Sequence, residues 1–174
     1  NVGNPQIQFC LASIDPSGNP TTGITRTPTT NSEWDYNTQS NDMKQTTTGG
    51  IDNWDPLRYL NIWICKIGSS GGGQTLGYAY LPGLQAGNQS WKDGIVVDYR
   101  FFGTVGNSSN SSDGRTTTHE VGHYLGLSHT FCESSGCCDN DLNGNYSWGD
   151  VDDTPATEDI YFGAVNANTN NNTC

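Results

Sequence analysis

All three histidines of this chain fall in one short stretch, His119-Glu120-Val121-Gly122-His123-Tyr124-Leu125-Gly126-Leu127-Ser128-His129. That stretch constrains the fold more than any other. Residues four apart on a helix share one face, so a helix from about Gly114 to Leu125 lets His119 and His123 present imidazole nitrogens to a single metal ion. Glu120 can then reach a water on that metal without being a ligand. Gly126 accepts positive φ at little steric cost and lets the backbone leave the helix abruptly. The turn swings His129 back as a third ligand. Three protein ligands and a water are the open coordination of a catalytic zinc site, whereas structural zinc is closed by four. Two chance histidines on a core helix would not place every histidine of the chain at the required spacings.

The pattern H-E-x-x-H-x-x-G-x-x-H is a zinc-protease signature with a physical reason at each fixed position. Zinc on His119, His123 and His129 acidifies a bound water and polarises the scissile carbonyl. Glu120 takes the water's proton and hands it to the leaving amine. The expectation is a zinc-dependent endopeptidase that hydrolyses peptide bonds in extended protein or peptide substrates. The rival, from another class, is a catalytically silent zinc- and calcium-stapled binding or adhesion module. An intact Glu120 speaks against it, because a structural zinc has no use for a general base.

A length of 174 residues suits one domain with a sizeable core, or one large and one small lobe around a cleft. Hydrophobic residues make up only 32%, so loops are expected to be long and elements short. The net charge of −11 argues against nucleic acid or an anionic membrane surface as partner. Most of the excess carboxylates belong to a solvated surface, and some suit calcium. No apolar run approaches the ~20 residues that span a bilayer. The opening Asn1-Val2-Gly3-Asn4-Pro5 reads as a mature domain whose leader has been removed. The six cysteines, Cys10, Cys65, Cys132, Cys137, Cys138 and Cys174, form an even set whose expected use is disulfides in an oxidising compartment. Their pairing is left open. Together these features predict a secreted, extracellular protein.

Along the chain, Ile7–Ala12 reads as a first strand, followed by a turn at Asp15–Pro20. Residues 21–33 are irregular, and a short surface helix is weakly indicated in 37–50. Leu60–Ile67 is the clearest strand, with Leu60, Ile62 and Ile64 on one side and Asn61, Trp63 and Cys65 on the other. Cys10 and Cys65 either bridge neighbouring strands or remain buried thiols. Gly68–Gly73 is a flexible connection, since no Lys-Ser/Thr follows to make a phosphate loop. Leu76–Gly83 is a short strand closed by Pro-Gly, which suits a sheet edge. Such an edge is either ordinary or a place where an extended peptide adds as another strand. Gly94–Phe102 is a more central strand. After a Gly/Asn/Ser loop, Ser112 or Asp113 caps the histidine helix, and Val121 and Leu125 anchor it to the sheet.

A second metal site is predicted further on. Asp139, Asp141, Asn143 and Asp150 stand at positions 1, 3, 5 and 12 of a loop with Gly144 at 6, the spacing of an EF-hand-type calcium loop. Asn145 would add its carbonyl, and Ser147 a hydroxyl or a water. Asp150 stands where Glu is usual, and no flanking helices are evident, so only the loop is proposed. An Asx-rich turn without an ion is the plainer alternative. Asp152, Asp153 and Thr154 complete this site or form another.

The stretch His119–His129 followed by Thr130-Phe131, with Gly149-Asp150-Val151-Asp152-Asp153-Thr154-Pro155 downstream, resembles the pappalysin family of metzincin metalloendopeptidases, of the ulilysin-like secreted microbial type. Leu60-Asn61-Ile62-Trp63, Leu76-Gly77-Tyr78-Ala79 and Asp93–Tyr99 are also similar to that family's strands, so the likeness covers most of residues 7–155. It implies an α/β (α+β) metzincin-like fold: a twisted, mostly parallel five-stranded sheet, two long helices and a zinc helix at the cleft floor. One long helix would lie in residues 30–58. The resemblance also implies substrate held in extended form along Leu76, Gly77, Tyr78 and Ala79, and an irregular lower part stapled by calcium and disulfides. The expected layout is one catalytic domain over 1–174, with an upper lobe to about 126 and a lower lobe beginning at 127.

One departure stands out. The family carries a Met-turn beneath the zinc, C-terminal to the third histidine, whereas the one methionine here is Met43, far upstream. Either the chain is a fragment whose lower lobe is elsewhere, or it is a shortened enzyme without that turn. The polar ending favours the first. The expectation is that the native polypeptide was nicked in the polar segment ending at Cys174, with the remaining C-terminal segment a partner held by Cys174 or by packing.

Overall fold

A computed structural model describes residues 6–83, 88–108, 110, 112–127 and 129. Contacts group the chain into two units, Asn1–Tyr124 and Leu125–Cys174. All the regular elements described here belong to the first: strands β1 (Trp34–Asp35), β2 (Ile62–Cys65), β3 (Ile67–Gly68), β4 (Gly77–Ala79) and β5 (Ile95–Asp98), and helix α1 (Thr116–Tyr124). Among the described residues no helix is long and apolar enough to cross a membrane.

The strands form two sheets. β1 pairs with β3 in parallel, and β5 lies between a parallel β2 and an antiparallel β4. The unbroken apolar run Ile95-Val96-Val97 is the reason β5 is central: its residues are fully buried on both faces, as a run without alternation requires. Alternation across the sheet then sorts the neighbours. Trp63 and Tyr78 both lie opposite Val96 and point with it into a core that holds Trp34, Met43 and Ile67. Ile95 and Val97 face the other way, beneath α1, which packs on β4 and β5. Of the predicted alternating strand, Trp63 is therefore the core residue, and Ile62 and Ile64 are partly exposed.

Several expectations are corrected. Ile7–Ala12 forms no strand, and Ile7, Phe9 and Leu11 are exposed. Only the predicted turn closes, with Asp15 Oδ1 accepting from Ser17 N and Asn19 N and an isolated bridge between Ile14 and Pro20. Residues 30–58 hold two short 3₁₀ turns, Asp42–Lys44 and Thr46–Thr48, in place of a long helix. Asp35 accepts from the backbone of Asn37 and Thr38, and Asp52 from that of Thr46. Short polar side chains so placed compete with helical hydrogen bonds. Cys10 and Cys65 are both free thiols: Cys10 is exposed, not buried, and burial and then the Asp98 charge push the Cys65 thiol up to about 12. Leu125 does not anchor the helix, which ends at Tyr124, and it is 48% exposed.

Lys44 is the unexpected core residue. It is fully buried, with Nζ donating to Lys92 O at 2.6 Å and lying 4.9 to 5.8 Å from the ring centroids of Tyr80, Trp63 and Tyr78. The rings satisfy the cation in a place where water does not reach. Burial, opposed by the Asp93 charge, pulls its pKa down to about 7.

Candidate metal and catalytic site

Helix α1 has the sequence Thr116-Thr-Thr-His-Glu-Val-Gly-His-Tyr124, rich in β-branched residues and weak in intrinsic propensity. Packing against β4 and β5 therefore supplies most of its stability. Ahead of it, Asp113 Oδ1 accepts from Arg115 N and Ser112 Oγ from Gly114 N. Both residues therefore shape the turn that leads into the helix. Their hydrogen bonds go to amides ahead of its first turn and not to the helical amides that a cap would satisfy.

The helical spacing brings His119 and His123 together as expected. Their Nε2 atoms are 3.0 Å apart and their rings nearly perpendicular at 88°. With Zn–N bonds of about 2.0–2.1 Å, two ligands in a tetrahedral set stand roughly 3.3 Å apart, so the donor pair fits the metal. At this separation either a proton or a metal ion can bridge the rings. Gly126 takes φ 95°, the left-handed turn anticipated for it. His129 is half-buried. Among the described residues, His119, His123 and His129 are the group of three that could hold a metal ion.

Glu120 lies on the adjacent helical face and is 5% exposed. Burial pushes its carboxyl up to about 7, well above an ordinary glutamate. A carboxylate that holds a proton this readily is suited to accept one from water and return it.

One partner of Glu120 had no sequence signal. Gly77 of β4 lies so close that a Cβ on it would stand 3.1 Å from Glu120 Cγ, 3.1 Å from Thr116 Cγ2 and 3.0 Å from Val96 O. A glycine inside a strand hints at a close approach. What approaches it is set by a helix about forty residues away, which spacing along the chain does not reveal.

The other predicted residues divide. Leu76, Gly77, Tyr78 and Ala79 lie at or beside β4, an edge strand of its sheet. The predicted calcium residues Asp139, Asp141, Asn143, Asn145, Ser147, Asp150, Asp152, Asp153 and Thr154 lie outside the described residues, as do Cys132, Cys137, Cys138 and Cys174.

Comparison with known proteins agrees with this geometry. A family model, Peptidase_M43, described as pregnancy-associated plasma protein-A, matches residues 31–174. An extracellular metalloprotease of Arthroderma otae is 31% identical, over 96% of this chain and 57% of its own length. Another from Arthroderma benhamiae is 36% identical, over 73% of this chain and 38% of its own. Among solved structures, mature mirolysin of Tannerella forsythia in complex with a cleaved peptide superposes with a TM-score of 0.73 at 38% identity, covering 88% of this chain and 52% of that one. The chain thus spans about half the length of the proteins it matches.

Proposed function

The chain belongs to the pappalysin family, peptidase family M43, and we propose that it is a zinc-dependent endopeptidase acting on extended protein or peptide substrates. The observation that carries this reading is the close His119–His123 nitrogen pair beside a buried Glu120. His119, His123 and His129 would hold the zinc, and the donor distance above supports it. Bound there, zinc supplies Lewis acidity, acidifying water and polarising the scissile carbonyl. Glu120 accepts the water's proton on a carboxylate oxygen as the water attacks, and passes it to the leaving amine. Packing of α1 on the sheet holds that carboxylate in place and shields it from bulk water, which strengthens its interaction with developing charge.

The edge position of β4 supports extended binding of substrate along Leu76–Ala79 by strand addition. The peptide complex of mirolysin is consistent with that mode. The names of the fungal relatives support an extracellular location, where the cysteines of the last third would be oxidised. Calcium is proposed at Asp139, Asp141, Asn143, Asn145, Ser147 and Asp150, with Asp152, Asp153 and Thr154 beside it, on the spacing of the oxygen ligands. The layout proposed is a single catalytic domain whose upper lobe runs to about residue 126.

The test is E120A. It should keep zinc, measured as bound metal after desalting, and lose most cleavage of casein, while a chelator abolishes cleavage by the wild type. Near-wild-type cleavage by E120A would refute the assignment.

A further inference from the structure

We propose that Gly77 is a positioning residue for Glu120: the missing side chain lets strand β4 close on helix α1 and sets where the carboxylate stands. The inference rests on the endopeptidase reading above and goes beyond it, since Gly77 carries no group that touches a reacting atom. Three contacts define the fit. An added Cβ would stand 3.0 Å from Val96 O, 3.1 Å from Thr116 Cγ2 and 3.1 Å from Glu120 Cγ. Val96 O belongs to the central strand, whose pairing with β4 runs through Gly77 opposite Val97, so that wall does not yield. The other two atoms are on α1. The backbone of Gly77 needs no glycine for its own sake, because its φ is not among the positive values. Glycine is required here for space alone.

The direction of the response follows. Contacts of 3.0 to 3.4 Å are relieved by shifts of a few tenths of an ångström. The part free to shift is the first half of α1, Thr116 and Glu120, and not the sheet. Catalytic groups must be held to about 0.5 Å, and a misplacement of 1 Å can cost on the order of a hundredfold in rate. His119 and His123 stand one turn apart on the same helical backbone, so a shift of α1 by a few tenths of an ångström leaves their mutual spacing nearly unchanged. A Cβ at 77 points at α1 and β5 and leaves the main-chain groups that would pair with an added strand in place. It therefore lowers turnover at constant metal content, while substrate affinity changes little.

The experiment compares wild type, G77A and G77A/T116S, all zinc-loaded, by bound zinc, melting temperature, and kcat and KM on one peptide substrate. G77A should bind a full complement of zinc, lose about tenfold in kcat and change KM less than twofold. G77A/T116S, which removes the Thr116 methyl, should recover part of the lost kcat. Wild-type kcat in folded G77A overturns the proposal. So does a loss lying in KM or in bound zinc, or one that T116S leaves untouched. Should G77A not fold, the double variant is judged against wild type by the same kcat and zinc criteria. Failure of both to fold also overturns it, by making Gly77 a determinant of the fold. Absence of chelator-sensitive cleavage by the wild type would instead sink the endopeptidase reading.

Discussion

Arg100 grips Asp98 from two residues away. Its Nε donates to Oδ1 at 2.9 Å and Nη2 to Oδ2 at 2.6 Å, while the backbone amides of Arg100 and Ile67 complete the carboxylate's shell. Asp98 is fully buried at the end of β5, so the pair ties the central strand to β3. Burial pushes the carboxyl up, but the Arg100 and Ile67 hydrogen bonds outweigh it and hold the group below the ordinary carboxylate range. The folded value lies below the unfolded one, so this stabilisation is present above about pH 4 and is lost as pH falls through the folded value. D98N should cost about 2–3 kcal/mol near neutrality, less than a wholly buried pair because Arg100 is 32% exposed. Urea midpoints between pH 6 and 3 test it: wild type and D98N should converge on the acid side, and parallel curves would contradict the assignment.

Lys44 has a dependence of the same sign in a higher pH window. Its folded value, about 7, lies below the unfolded one of about 10.4. The unfolded chain therefore binds the extra proton between those values, and stability rises with pH across that window. The groups bearing on it are Asp93 and Lys92 and the three rings. K44M should flatten this rise. The measurement is the difference in denaturation midpoint between wild type and K44M at pH 7 and 10, which should grow in favour of wild type with pH.

Gly94 takes φ 125°, and a Cβ there would lie 2.5 Å from Asn61 O and 2.7 Å from Trp63 Cζ3. Asn61 O also accepts from Ile95 N at 2.9 Å, where β2 and β5 begin to pair. Backbone strain and overlap act together, so G94A should lose about 3 kcal/mol or more. A melting temperature within a few degrees of wild type would show that the strand entry relaxes freely.

Calcium at the Asp139–Asp150 loop would couple binding to folding. A calcium-selective chelator should lower the melting temperature by several degrees at unchanged zinc content, and D141A should remove that response. A melting curve indifferent to calcium in the wild type would leave the loop an Asx-rich turn.

What was legible from the chain depended on whether the cause was local. The histidine helix, expected over 114–125 and found at 116–124, follows from four-residue spacing. β5 follows from Ile95-Val96-Val97, and the edge position of β4 from Pro82-Gly83. Ile7–Ala12 alternates like a strand, but alternation shows only what a strand would bury, not that a partner is present. The buried state of Lys44 was hidden in a polar stretch, because its cage comes from Trp63, Tyr78, Tyr80 and Lys92. The fit of Gly77 against Glu120 was hidden for the same reason: it is a property of two segments and of neither alone.

Met43 is 3% exposed, and its sulfur receives the Tyr78 hydroxyl at 3.5 Å from behind β4. It is also the only methionine in the chain. A thioether sealed in this way meets peroxide only in molecules whose packing has opened. The protein thus carries a chemical counter: the rate at which this one thioether gains oxygen records how often the wall behind β4 comes apart, with no label added and no second methionine to confuse the reading.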